Sequence, residues 1–88
     1  MKPTAEQQDR MVKRLARVEG QLRGVQKLIR GAQDCEIILQ QMSASRRALD
    51  KTFFETLACM AEACILEQDV ASAPARAQEL RELLARYA

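Results

Sequence analysis

The residues able to do chemistry in this 88-residue chain are sulfurs, for it has three cysteines, four methionines, no histidine and no tryptophan. The stretch CMAEAC places Cys59 and Cys64 around Met60, and Cys35 stands 29 positions before Cys64. Sulfurs so grouped suit three roles. Free cysteine packs as a small hydrophobe and methionine fills gaps in cores. Thiolate and thioether ligands select soft metals such as Cu(I). An accessible thiolate beside a second thiol makes a redox or persulfide switch. Enzymatic use is not expected: there is no histidine base beside the cysteines, no glycine-rich phosphate loop and no pair of carboxylates in an evident cleft.

Charge indicates a partner. The net charge is +2, yet residues 1–30 carry eight basic residues against three acidic ones. A basic first third on a near-neutral chain suits a polyanion, most simply nucleic acid, or else is a solvated helix face. The N-terminal stretch MKPTAEQQDR has no apolar segment of a signal peptide, and no apolar run is long enough to span a membrane. A cytoplasmic location is therefore expected, where cysteines more often bind metal, react or stay inert than form structural disulfides.

The elements that must position these groups are helices. Apolar residues recur at Met11, Leu15, Val18, Leu22, Val25 and Ile29, in steps of 4, 3, 4, 3 and 4 that make a coiled-coil-like seam. Thr4 and Gln7 form a capping box at the start of this helix, and Gly31 is expected in the C′ position after Arg30. Asp34 should cap a second helix reaching about Gln68. Ser72 should cap a short third one with an apolar stripe of Ala77, Leu80, Leu84 and Tyr87. The chain reads as one all-α domain over residues 1–88, with two long helices and one short. Gly20 and Gly24, four apart in the first helix, suit tight helix packing or close approach to a phosphate backbone.

At about 100° per residue, Cys35, Met60 and Cys64 share one stripe of the second helix with Ile38, Met42, Leu49, Phe53 and Leu57. Cys59 lies about 120° away and reads as inert core or a contact to a partner helix. Cys35 stands in the first turn, where the helix dipole favours an anion, while Asp34 and Glu36 oppose one. Along the axis Cys35 and Cys64 are about 43 Å apart, so one continuous helix cannot bring them together. Two copies packed antiparallel about a two-fold axis near Leu49 and Asp50 would pair them at both ends. Such a dimer would also supply the core that a chain of this length has difficulty building alone.

The stretch RLARVEGQLRGVQKLI, the Cys35 of DCEIILQQMSASRRAL and the ungapped register to Cys64 resemble the CsoR/RcnR/FrmR family of small all-helical bacterial repressors. The resemblance covers residues 4–86. It implies a homotetramer, a dimer of antiparallel dimers, that binds double-stranded operator DNA without a helix-turn-helix. An effector bound at the Cys35 end releases the DNA. It places DNA contacts on Arg14, Arg17 and Gln21 of the first helix and on Arg46, Arg47 and Lys51 of the second. Of these, Arg14, Arg17, Arg46 and Arg47 match basic positions of the family.

The branches of the family differ in their site residues. Copper(I) sensors resembling this chain hold a histidine where it has Met60, and tend to carry a tyrosine where it has Asp34. Nickel and cobalt sites need imidazoles, which are missing. The formaldehyde-sensing branch uses a proline amine exposed by removal of the initiator methionine, but here Lys2 precedes Pro3. The persulfide-sensing, CstR-like branch keeps two cysteines without the histidine. It is the expected branch, with Cys35 as the attacking thiol, Cys64 as the resolving thiol and no cofactor. The alternative is a Cu(I) sensor ligated by Cys35, Met60 and Cys64. A helical assembly module with cysteines as core is a third class, against which the basic first helix argues.

Overall fold

The computed structural model describes residues 2–65, 71 and 73–87. These form α1 (Ala5–Arg30), α2 (Cys35–Ile65) and α3 (Ala73–Tyr87). No strand occurs among the described residues, in agreement with the all-α reading. The expected continuation of α2 to Gln68 and the Ser72 cap lie outside the described residues. No helix described is long and apolar enough to cross a membrane.

Local chemistry sets the helix starts. Thr4 Oγ1 accepts the Gln7 N–H at 3.1 Å, and Gln7 Oε1 accepts the Thr4 N–H at 2.9 Å, completing the capping box. At the head of α2, Asp34 Oδ1 accepts the Glu36 N–H at 3.4 Å, and the Asp34 carbonyl opens the ladder by accepting from Ile38.

The end of α1 departs from expectation by one residue. Gly31 keeps an ordinary φ of −79°, and Ala32 takes the left-handed conformation at φ 53°. Gln33 N–H donates to the Leu28 carbonyl and Ala32 N–H to that of Ile29, a Schellman pattern with Ala32 at C′. The helix runs through Arg30, so Gly31 is the cap itself and the turn falls on the residue after it.

The contacts Gln7–Glu62, Met11–Thr56 and Arg14–Glu55 rise along α1 as they fall along α2, so the two helices are antiparallel. The α3 helix packs on α2. Its half-buried positions are Arg76, Leu80 and Leu83, while Ala77, Leu84 and Tyr87 are exposed. The packing stripe of α3 is therefore rotated from the expected one.

The resulting layer measures 58 × 26 × 12 Å, one helix deep in its thinnest direction. Among the described residues no side chain is fully buried. The expected α1 seam splits in two. Val18 and Val25 are buried and Met11 half-buried against α2, whereas Leu15, Leu22 and Ile29 stay exposed. Outside their own helix backbone and among the described residues, Gly20 and Gly24 have no atom within 4 Å of the position a Cβ would take, so neither serves tight packing there.

Candidate sensor stripe and basic surface

Two faces of α2 have different fates. Toward α1 it presents the buried Ser45, Thr52 and Cys59, each seven residues from the next, and the half-buried Ile38, expected on the Cys35 stripe, heads this line instead. Ser45 and Thr52 are each 4% exposed and Cys59 is 8% exposed. The two hydroxyls satisfy themselves inside the helix: Ser45 Oγ donates to the Gln41 carbonyl at 3.0 Å and Thr52 Oγ1 to that of Ala48 at 3.2 Å. Cys59 is a free, buried thiol in this seam, which agrees with its reading as core.

The other face carries Cys35, Met42, Leu49 and Phe53. Cys35 is a free, exposed thiol on the first residue of α2. Met42 and Leu49 are each 47% exposed, and Phe53 is exposed as well. Leu57 and Met60 farther along the stripe are half-buried. Cys64 is the penultimate residue of α2; its side chain lies outside the described part. Cys35 and Cys64 thus stand at opposite ends of one unbroken helix. The donors of the Cu(I) alternative, Cys35, Met60 and Cys64, do not converge within one chain. Among the described residues, no three cysteine, aspartate or glutamate side chains are grouped to hold an ion.

The basic residues are brought together in part. Arg14, Arg17 and Gln21 of α1 meet Lys51 of α2 around one shallow depression. Arg10 and Lys13, not singled out in the sequence, continue this surface along α1 with Arg14 and Arg17. The signal for Arg10 was present in the spacing, since positions 10, 14, 17 and 21 follow helical periodicity, and Lys13 stands four residues before Arg17. Arg46 and Arg47 do not join the depression. Arg46 lies beside Leu39, Met42 and Ser43, and Arg47 beside Glu36, Gln40 and Ser43.

Arg14 is engaged from within the chain. Its guanidinium Nε pairs with Glu55, whose carboxylate is largely buried against it. Lys13 pairs with Asp9 at 2.9 Å in full exposure, a contact of small energetic consequence. Like the Arg14–Glu55 pair, a further polar contact joins α1 to α2. Gln7, buried at the start of α1, donates through Nε2 to Glu62 Oε2 at 2.8 Å, two residues before Cys64. The capping amide of the basic helix is thereby held by the cysteine-bearing end of α2.

A model of the family described as metal-sensitive transcriptional repressors matches residues 7–86. This chain belongs to that family. It is 31% identical over 64 residues to the copper-sensing transcriptional repressor CsoR of Bacillus subtilis (strain 168), a match covering 73% of this chain and 63% of that protein. Among solved structures, it is similar to the copper-sensing repressor CsoR with Cu(I) from Geobacillus thermodenitrificans NG80-2. That similarity has 32% identity and a TM-score of 0.76, and covers 99% of this chain and 92% of the other. A variant of the formaldehyde-responsive regulator FrmR from Salmonella enterica serovar Typhimurium superposes with a TM-score of 0.81. It covers 97% of this chain and 98% of its own. At 23% identity that likeness bears on the fold alone.

Proposed function

We propose that this chain is an operator-binding repressor released by reactive sulfur species at Cys35 and Cys64. One observation carries the reading. The stripe of α2 that holds the exposed Cys35 keeps Met42, Leu49 and Phe53 open to solvent, while the neighbouring line, about 60–100° round the same helix, is filled by α1. A second copy laid antiparallel on that stripe covers it and sets Cys35 of one chain beside the Cys64 position of the other. Two such dimers form the tetramer of this reading, in the cytoplasm, with the chain acting as a single domain and not as an enzyme.

The chemistry needs no cofactor. The Cys35 thiolate attacks the outer sulfur of an organic persulfide, takes that sulfur and expels the organic thiolate. Cys35 is then a persulfide. Under an oxidising polysulfide donor, the Cys64 thiolate closes the link, and the donor's reduced sulfide leaves with the two electrons. The linked pair fixes both ends of the dimer, including the Glu62–Gln7 contact that anchors α1. The basic surface of Arg14, Arg17, Gln21 and Lys51, with Arg46 and Arg47 nearby, is the proposed DNA contact. Among the described residues, Arg17, Arg46, Arg47 and Lys51 have no ion pair comparable to that between Arg14 and Glu55.

Intact-mass spectrometry after polysulfide treatment, paired with operator binding, tests the reading. Two chains should become covalently joined through Cys35 and Cys64 with extra sulfur atoms, reversibly with reductant, as DNA binding is lost. Unlinked chains that still release DNA at one Cu(I) per protomer would instead favour the copper reading. That second reading is supported by the 32% identical relative solved with Cu(I). Its ligands here would be Cys35, Met60 and Cys64, a soft donor set drawn from two chains.

A further inference from the structure

We infer a second sulfur site, distinct from the Cys35–Cys64 pair and contained within one chain, formed by Met11, Cys59 and Met60 and suited to Cu(I). A small cavity between the start of α1 and the end of α2 is lined by all three residues together with Lys2, Pro3, Thr56 and Ala63. Its volume is about 40 Å³, room for an ion or a few waters.

The hydrogen bonds place the sulfurs. Thr56 Oγ1 lies 3.2 Å from Met11 Sδ, so the α1 thioether sits over the turn of α2 that Thr56 begins. Cys59 and Met60 are three and four residues farther on, one turn along the same side, a rise of about 5 to 6 Å. Thr56 Oγ1 also lies 3.0 Å from the Thr52 carbonyl. One hydroxyl proton cannot serve both acceptors, and a carbonyl is the stronger acceptor than a thioether. With that proton on the carbonyl, the Met11 sulfur keeps its lone pairs for a ligand.

One thiol and two thioethers with no nitrogen donor are a set for a soft monovalent cation, not for zinc, nickel or cobalt. Cys59 is 8% exposed, so an ion there exchanges its water for sulfur in a largely dry site. On binding, the Cys59 thiol gives its proton to solvent and its sulfur donates an electron pair. Copper remains Cu(I), and no electron is transferred. The bound ion joins α1 next to Arg10 and Arg14 to α2 next to Glu62. It thus ties the basic helix to the same end of α2 by a route that does not involve Cys35.

The test removes the other site first. The full chain carrying both Cys35→Ser and Cys64→Ser is titrated anaerobically with Cu(I) against a chromogenic chelator, with X-ray absorption to count sulfur neighbours. One Cu(I) per protomer with sulfur-only coordination is expected. Adding Cys59→Ser should abolish it, and adding Met11→Leu should weaken it by more than the roughly 10–100-fold of a supporting residue. Methionine to leucine nearly conserves volume, so the fold should persist, as circular dichroism will report. No Cu(I) uptake by the double variant overturns the site. So does retention of Cu(I) after Cys59→Ser, or unchanged affinity in both Met11→Leu and Met60→Leu. The persulfide reading can fail without affecting these outcomes, because its two cysteines are absent from every sample.

Discussion

The α1-facing line of α2 is made of Ile38, Ser45, Thr52 and Cys59, small or modest side chains, two of them hydroxyls. The open line holds Met42, Leu49 and Phe53, all apolar and all larger than the serine, threonine and cysteine of the packed line. A self-sufficient chain would place them the other way round, with bulk inside and hydroxyls outside. The small line lets α1 approach closely, and the bulky line stays exposed, the surface on which the proposed second copy would lie. The two free cysteines described follow the same division: Cys59 is part of the packing, and Cys35 is accessible at the end of the bulky line.

The contrast breaks most readily at Leu49, next to the proposed two-fold axis. Leu49→Glu puts two like charges close together in a contact between chains and should cost about 3 kcal/mol or more of assembly. Sedimentation should then show protomers. If the position is merely solvated, the change will stay within about 0.5 kcal/mol and the assembly will be unaltered.

Thiol labelling sharpens the same comparison. In a Cys64→Ser background, native alkylation followed by peptide mapping should modify Cys35 at least about tenfold faster than Cys59, which must await local opening of the helix pair. Equal rates would mean that the α1–α2 seam is not closed.

On the packed line, Ser45→Leu should overfill the seam and destabilise the fold by about 1–3 kcal/mol in denaturant titration. A leucine there that left stability unchanged would show room between the helices that the 4% exposure of Ser45 does not suggest. The smallest effect belongs to the turn outside both lines. Ala32→Gly relieves a left-handed alanine and should raise stability by about 0.5–1 kcal/mol, after the greater unfolded freedom of glycine is counted. Neither thiol should change its labelling rate.

Features set by neighbours in sequence were legible in it. Thr4 with Gln7 and Asp34 with Glu36 act over two or three residues, and both caps stand as read. The C-terminal turn of α1 was misplaced by one residue because glycine's preference for the left-handed region drew the expectation to Gly31. The Schellman bonds depend on where the ladder stops, and they select Ala32. The α1 seam was legible as a pattern but not as two surfaces. Periodicity marks Val18 and Leu22 alike as apolar and says nothing of which one meets α2. The register between helices was beyond such reading. Glu55 against Arg14, Glu62 against Gln7 and Met11 over Thr56 join residues 41 to 55 positions apart. That register is what gathers Met11, Cys59 and Met60 around one cavity.

The 12 Å thickness of the layer has a consequence for how the protein responds to dilution. A sheet of helices one deep leaves one side of every element toward water, so in the proposed assembly the free energy that orders it comes in part from encounters between copies. Stability then follows mass action, and each tenfold fall in protomer concentration removes about 1.4 kcal/mol per association step. Melting temperature becomes a property of the sample's concentration as well as of the sequence. In a cell, copy number then helps decide whether the chain is folded as well as how often its target is occupied.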